Sequence, residues 1–216
     1  AGVSTHQNQA ELIPALVKTG KMDVILVAYN FTLDPKIGEA IAAAAKAGVG
    51  IVGMKVMAGG FRTLRPGDKN AEILKRSGAM LAALKWVLAV PGIATTIPSI
   101  TDMDQLDENL KAMSEPLTDS DRKLLAAQLD YIRPMYCRTC GACEGKCRYG
   151  LPVADMLRYL MYSDGYGQYA LGREHFKQLP EELQAVRCQD CSGCTINCPN
   201  GVNVVARLTK AQEVFA

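Results

Sequence analysis

The eight cysteines of this 216-residue chain are the residues whose type and spacing are best suited to chemistry, and all of them lie within residues 137–198. They form two runs with the spacing C-x2-C-x2-C-x3-C, the first from Cys137 to Cys147 and the second from Cys188 to Cys198. Three thiolates on a tight turn can cover three corners of an iron–sulfur cubane, whereas the x3 step carries the fourth away to ligate another cluster. The two runs therefore predict two 4Fe-4S clusters.

The predicted ligand sets are crossed between the runs, because the fourth cysteine of each run is assigned to the other cluster. One set is Cys137, Cys140, Cys143 and Cys198, and the other is Cys188, Cys191, Cys194 and Cys147. Gly141 and Gly193 would let the backbone wrap closely around the inorganic sulfurs, where N–H groups can tune the potential.

Zinc is the main alternative, since C-x2-C pairs also build tetrahedral sites with four sulfur ligands. Such sites use two pairs, so the third cysteine at the same step in both runs would be surplus. Disulfides suit small secreted domains, whereas these cysteines follow 136 residues that contain none. The first run departs from the usual pattern at one residue, because Arg148 follows Cys147, whereas the expected proline, Pro199, follows Cys198.

The cysteine-free segment alternates strand-like and helix-like runs. Short β-branched runs at 23–29, 49–54 and 93–97 predict strands, and 1–4 predicts the end of another. Helices are predicted at about 35–47, 80–88, 103–113 and 118–132, the last with a capping box that starts at Thr118. A long loop is predicted from Gly59 through Gly67. Successive strand–helix units predict a parallel sheet with helices packed outside it.

Three clear strands and a strand end are too few for an eight-stranded α/β barrel, which typically takes about 250 residues. Half a barrel would have two open edges, which proteins normally cover or close. The chain is therefore expected to be the C-terminal portion of a longer protein. The segment between and after the cysteine runs predicts helices instead, with apolar faces at 153–161 and 204–215.

Three segments carry a resemblance to the last four strand–helix units of the aldo/keto reductases. They are Gly2-Val3-Ser4-Thr5-His6, then 23–30, and then Thr96-Ile97-Pro98-Ser99 followed by Gln105-Leu106-Asp107-Glu108-Asn109-Leu110. The resemblance implies an α/β domain over residues 1–132 that is the second half of a (β/α)8 TIM barrel. Residues 133–216 resemble an all-α domain, the α-helical dicluster ferredoxin, and a subgroup of the family carries such a domain.

The resemblance also implies a cofactor, NADP or NAD, at the carboxyl ends of the barrel strands. Ser4 and Thr5 match the pair that holds the nicotinamide carboxamide, and Glu108 and Asn109 match the pair that holds the adenine. Leu26 departs from the family's usual Gln, and Ser99 and Gln105 replace basic residues that grip the 2′-phosphate. The family's catalytic Asp, Tyr, Lys and His come from the first half of the barrel, so no catalytic residue is assigned here.

The composition excludes some partners. With 24 basic and 22 acidic side chains, balanced in both segments, the chain has no surface suited to nucleic acid. Its longest charge-free stretches are 16 residues and contain Pro and Gly, whereas a membrane span needs about 20 apolar residues.

One predicted function is an iron–sulfur oxidoreductase, with a redox partner or electron carrier and a small-molecule substrate in the intact protein. The alternative is a ferredoxin-type electron carrier or docking module without catalytic activity. Oxygen-sensitive clusters suit the reducing cytoplasm, although an upstream twin-arginine signal would allow export.

Overall fold

The computed structural model of this chain describes residues 1–58, 78–191 and 193–216. The described residues divide into two compact units, and the division falls between Leu129 and Asp130, within the helix that joins them. The domain boundary predicted from the sequence lies three residues further on, after Ile132. All residues of the loop predicted from Gly59 through Gly67 lie outside the described ranges.

The first unit contains a parallel sheet of four strands in the order β1-β2-β3-β4. The strands are β1 Gly2–Thr5, β2 Val24–Ala28, β3 Gly50–Met54 and β4 Ile93–Thr96. Every neighbouring pair is parallel, with Val3 opposite Ile25, Ile25 opposite Ile51, and Ile51 opposite Ile93. The predicted parallel sheet is confirmed, and the carboxyl ends of all four strands lie along one edge of it.

One face of the sheet carries the core of this unit. Ile25, Val27 and Ile51 are fully buried against the helices, because alternate residues of a strand point to the same face. On the opposite face, Val24 is 41% exposed and Leu26 is half-buried. The sheet is therefore covered by helices on one side within the described residues.

The helices of the first unit follow the strands as the strand–helix pattern predicts. They are α1 Gln9–Lys18, α2 Pro35–Lys46, α3 Ala79–Leu88, α4 Met103–Leu110 and α5 Asp119–Ile132, with a 3₁₀ turn at Lys111–Met113. The sequence did not predict helix α1, which contains Pro14, a residue that disfavours the interior of a helix. The helix predicted at 103–113 instead ends at Leu110 and tightens into the 3₁₀ turn.

A capping box and an ion pair fix the start of α5. The Thr118 hydroxyl accepts a hydrogen bond from the Asp121 N–H at 3.2 Å, and the Asp121 carboxylate accepts one from the Thr118 N–H at 2.8 Å, which confirms the predicted capping box. The same carboxylate lies 2.8 Å from the Lys85 Nζ of α3, whose side chain is only 6% exposed. Burial by itself raises the pKa of Asp121, but hydrogen bonds from Lys85 and Thr118 outweigh it, so the pKa lies below its usual value.

The second unit is helical and has its own core. Its helices are α6 Val153–Asp164, α7 Tyr169–Lys177, α8 Glu181–Ala185 and α9 Val204–Phe215, with a 3₁₀ turn at Cys188–Asp190. Both predicted apolar faces are buried, including Met156, Leu160 and Phe215. A bidentate ion pair between Arg207 and Asp164 ties α9 to the end of α6. In the part of the chain that the structure describes, no helix combines the length and apolar character needed to cross a bilayer.

We expect Asp121→Asn to lower the free energy of unfolding near neutral pH by about 2 kcal/mol, because it removes the nearer counter-charge of the buried Lys85 cation and leaves it paired with Glu115 at 3.7 Å. The pKa of Asp121 is lower in the folded than in the unfolded chain. Its stabilisation is therefore complete above the unfolded pKa of about 3.9 and is lost as the pH falls through the folded value. Urea unfolding of both proteins at neutral pH and near pH 3 measures this difference, which should shrink in acid.

The exposed Asp119→Asn in the same helical turn is the matched control and should change stability little. An equal difference between the wild type and Asp121→Asn at both pH values would contradict the assignment.

Candidate functional site

Both cysteine runs fold as irregular loops with left-handed backbone at several positions. In the first run Thr139 has a φ of 51°, Gly141 one of 71° and Gly145 one of 68°, and in the second run Gly193 has one of 80°. Glycine adopts this region without the steric cost of a Cβ atom. Gly141 and Gly193 thus turn the backbone around their cysteines, as expected for loops that wrap a cluster.

The structure gathers Cys198 with the first three cysteines of the other run. Burial raises the pKa of the Cys137 thiol to about 11, and part of the rise comes from neighbouring thiols. Those neighbours are Cys143, Cys140 and Cys198. The pKa of Cys143 is likewise raised, first by burial and then by Cys140 and Cys198. We call these four residues the first quartet.

The second quartet has the reciprocal composition. Burial raises the pKa of the Cys188 thiol, and the thiols that add to this rise are Cys147, Cys191 and Cys194. Cys147 belongs to the first run, so each quartet takes three cysteines from one run and one from the other. The quartets have the same members as the ligand sets predicted from the spacing, and their binding of clusters stays a prediction.

The quartets sit at the edge of the helical core. Cys137, Cys143, Cys147, Cys188 and Cys198 pack against its buried side chains, whereas Cys140 and Cys194 are exposed. Within the described ranges, no three His, Cys, Asp or Glu side chains converge as the ligands of a single metal ion would. The four ligands of a cubane are held apart by the cluster itself, one at each iron.

Hydrogen bonds involve both the sulfurs and the backbone of the first quartet. The Thr139 N–H donates to Cys137 Sγ at 3.4 Å, and the Asn200 amide donates to Cys140 Sγ at 3.3 Å. The Cys137 N–H in turn donates to Met161 Sδ at 3.0 Å, which anchors the start of the run to α6. Such N–H groups are the protein's means of tuning a cluster.

The second quartet is fixed by a different set of groups. The Cys188 N–H donates to Gln212 Oε1 at 2.9 Å, and the buried Gln212 donates to the Val186 carbonyl at 2.8 Å, so α9 holds the start of the second run. The Arg148 guanidinium interacts with Cys191, and this interaction contributes to a raised pKa of Arg148, for which its bond to the Tyr149 hydroxyl is the larger cause. The departure from proline at position 148 thus places a cation beside a predicted ligand.

The residues predicted to hold a dinucleotide lie at the carboxyl end of the sheet. Ser4 and Thr5 end β1, where Ser4 is exposed and the buried Thr5 donates its hydroxyl to the Gln7 carbonyl at 3.0 Å. Glu108 and Asn109 lie half-buried on α4, after β4. The outer strands β1 and β4, which these two pairs follow or end, are separated by about 14 Å, three strand spacings.

The Asn109 amide supplies a specific observation at this end. Its Nδ2 atom is buried and has no hydrogen-bond partner among the residues that the structure describes. A buried donor without a partner costs about 1–3 kcal/mol, so a ligand that accepts from it would recover this energy. This is the chemistry expected of a residue that holds an adenine.

Two buried polar residues at the same edge escaped the sequence predictions. Gln9 donates from Nε2 to the Ala28 carbonyl at 3.0 Å, and Asn30 donates from Nδ2 to the Lys55 carbonyl at 2.9 Å. Both tie the loops that leave the strands, and both are at most 6% exposed. A polar residue directly after a buried strand was the available signal for Asn30.

Comparison with protein families matches both units. The aldo/keto reductase family model matches residues 1–130, and the model of a 4Fe-4S dicluster domain matches residues 136–203. Since the first match covers more than half of the chain, the chain belongs to the aldo/keto reductase family. No curated protein matches it in sequence.

The solved structures that are similar to this chain include aldo-keto reductase AKR11C1 from Bacillus halodurans in its apo and holo forms. Each is 22% identical to this chain and covers 58% of it, with TM-scores of 0.43 for the apo form and 0.41 for the holo form. The aligned part is 49% of the apo and 48% of the holo chain. The chain thus spans about half the length of these reductases.

Paired cysteine substitutions should distinguish crossed from uncrossed ligation. If the quartets are the ligand sets, Cys137→Ala with Cys198→Ala disables one cluster and leaves about four irons per chain. Cys188→Ala with Cys198→Ala, which removes two cysteines of one run, should disable both clusters. Iron and sulfide analysis after anaerobic reconstitution measures this outcome.

The reverse pattern, with iron retained by the pair from one run and lost by the pair from one quartet, would show that each run binds its own cluster. Cys147→Ala with Cys188→Ala is the matched pair for the second quartet and should also retain about four irons.

Proposed function

We propose that this chain is the cluster-bearing part of an iron–sulfur oxidoreductase. Electrons would pass between a redox partner or carrier, two 4Fe-4S clusters in the second unit, and a nicotinamide or small-molecule substrate bound by the aldo/keto reductase unit. The observation that carries the proposal is the match of residues 136–203, which contain both cysteine runs, to a 4Fe-4S dicluster domain. Family membership of residues 1–130 supports the oxidoreductase class.

The donor set fits iron–sulfur clusters. Thiolate sulfur is the ligand that these clusters require, and each quartet supplies four. The exposed Cys140 and Cys194 give each quartet one edge at the protein surface, where a partner could approach. The half-buried Cys137 packs the other side of the first quartet against the apolar core.

The electron balance favours two clusters over one. Oxidation of NADH or NADPH to the nicotinamide cation releases a proton and two electrons, whereas one 4Fe-4S cluster takes up one electron at a time. When bound, the clusters supply this one-electron chemistry. Two quartets in one unit therefore match the two electrons of one hydride.

The four parallel strands would form half of an eight-stranded barrel in the intact protein. Ser4 and Thr5 at β1 would bind the nicotinamide carboxamide, and Glu108 and Asn109 after β4 would bind the adenine. A dinucleotide is extended enough to reach both pairs, and the unpartnered Asn109 amide supports the adenine end. The family's catalytic residues come from the other half of the barrel, so the proton donor for a carbonyl substrate would lie outside this chain.

A second candidate function is a ferredoxin-type electron carrier without chemistry of its own. It is favoured by Leu26, which is apolar where the family uses a Gln to hold the carboxamide. In this case the strand–helix unit would be a platform for docking. Both functions place the protein in a reducing compartment, for which the cytoplasm is the natural choice.

We expect the anaerobically purified chain to be brown and to contain about eight irons and eight inorganic sulfides. Dithionite should bleach its visible absorbance and produce the EPR signal of reduced clusters, because thiolate-bound cubanes accept electrons. Colourless protein with one or two zinc ions would overturn the cluster assignment. Coloured protein whose absorbance and EPR spectrum do not respond to dithionite would leave the clusters in place but refute electron transfer.

Dinucleotide binding separates the oxidoreductase from the carrier. If the strand-end residues bind a nicotinamide cofactor, fluorescence titration with NADPH and NADH should saturate, and Asn109→Ala should weaken the affinity about tenfold, the equivalent of 1.4 kcal/mol. The exposed Asp107→Ala on the same helix is the matched control and should bind as the wild type does. Titrations of the wild type that never saturate would instead support the carrier.

A further inference from the structure

An amide from the second cysteine run reaches a sulfur of the first quartet. Asn200 lies two residues after Cys198, and its Nδ2 donates to Cys140 Sγ at 3.3 Å, across 60 residues of sequence. Cys140 is an exposed residue, so this bond covers one side of a predicted ligand that the apolar core leaves open. Neither the spacing of the cysteines nor the assignment of ligands explains this hydrogen bond from Asn200.

Arg138 determines which end of the Asn200 amide faces the sulfur. Its Nη1 donates to Asn200 Oδ1 at 3.1 Å. A guanidinium has only donors, so the amide oxygen must point toward Arg138 and the NH2 group toward Cys140. Arg138 therefore donates to the amide oxygen of Asn200, and the amide nitrogen donates to Cys140. This assignment follows from the chemistry of the guanidinium and not from the naming of the two amide atoms.

The backbone around Asn200 is also held in place. The Gly201 N–H donates to the Cys198 carbonyl at 3.1 Å, and the Asn203 N–H donates to the Pro134 carbonyl at 3.2 Å. Gly201 has a φ of 83°, and a Cβ there would lie 2.9 Å from the Arg133 Cγ. The loop that carries Asn200 thus packs closely against the segment that leads into the first run.

The equivalent position in the first run is different. Tyr149 lies two residues after Cys147, and its hydroxyl accepts a hydrogen bond from Arg148 Nη2 at 3.0 Å. Beside the second quartet the polar neighbour of Cys191 is thus the exposed Arg148 cation, whereas beside the first quartet it is a neutral amide. The two quartets, although alike in composition, have different electrostatic surroundings.

We propose that Asn200, oriented by Arg138, is a positioning residue that donates a hydrogen bond to the Cys140 thiolate and raises the reduction potential of the first quartet's cluster. Reduction adds one negative charge to a cluster and its thiolates, so a fixed N–H donor stabilises the reduced state more than the oxidised state. The inference rests on the proposed function only in requiring that the first quartet bind a cluster.

The test uses the full chain, loaded anaerobically, and measures both cluster potentials by spectroelectrochemistry with EPR detection. Asn200→Ala should lower one of the two potentials and leave the other unchanged. A tenfold smaller ratio of reduced to oxidised cluster is expected, which corresponds to about 59 mV for one electron. The control Gln189→Ala, which removes an exposed amide bound to Glu213, should change neither potential.

The affected cluster is identified in a background that retains only the second quartet. In the variant with Cys137→Ala and Cys198→Ala, adding Asn200→Ala should not move the remaining potential. A shift in that background, or an equal shift of both potentials in the intact protein, would overturn the assignment to the first quartet.

Arg138 provides the test of orientation. Arg138→Ala should lower the same potential, and most of this effect should vanish when Asn200 is already Ala, because the guanidinium would act through the amide. An equal Arg138→Ala effect in both backgrounds would mean that the cation acts through space and would overturn the orienting role.

A second variant keeps the proposal testable if Asn200→Ala loses iron. Asn200→Asp retains the size of the side chain but replaces the donor with an acceptor, and it should lower the first potential at least as much. Unchanged potentials in an iron-loaded variant, or loss of iron from both variants, would overturn the tuning role. Wild-type protein that contains no cluster would instead refute the proposed function, so the two failures are distinct.

Discussion

If its two thiol quartets bind clusters as proposed, the second unit depends on one constraint, which is that four thiols must be gathered at each of two sites from segments separated by 40 residues. Thiolates repel one another, and burial raises the pKa of the Cys137, Cys143 and Cys188 thiols, which makes them harder to ionise. The unit meets this constraint by placing rigid elements behind the loops. Met161 of α6 binds the start of the first run, and Gln212 of α9 binds the start of the second.

The exchange of Cys147 and Cys198 makes the two runs mutually dependent. Because each quartet contains one cysteine from the other run, neither site can be complete unless both loops and the helices between them have folded. The apolar core formed by α6, α7 and α9 therefore positions both sites at once. The ion pair of Arg207 with Asp164 adds a polar connection between α6 and α9.

The first unit follows a different logic, in which a sheet edge brings distant polar residues into line. Parallel strands place all their carboxyl ends along one edge, and the proposed function assigns residues that end β1 and residues that follow β4 to opposite ends of one extended ligand. Gln9 and Asn30 hold the loops at this edge through buried hydrogen bonds to backbone carbonyls. The Nδ2 atom of Asn109 is buried and has no hydrogen-bond partner among the described residues, so it keeps a donor for a ligand.

The sequence by itself determined the features that depend on local spacing. The cysteine runs, the strands at 24–28 and 50–54, and the capping box of Thr118 and Asp121 all involve residues close together in the chain, so a pattern could predict them. The 3₁₀ turn after Leu110 and the helix α1, which continues through Pro14, were harder to predict, because packing outweighed weak local preferences. Only the tertiary structure could decide that Asn200 donates to Cys140 and that Arg148 lies beside Cys191. These contacts join residues 60 and 43 positions apart, and they exist only because the folded helices bring the two loops together.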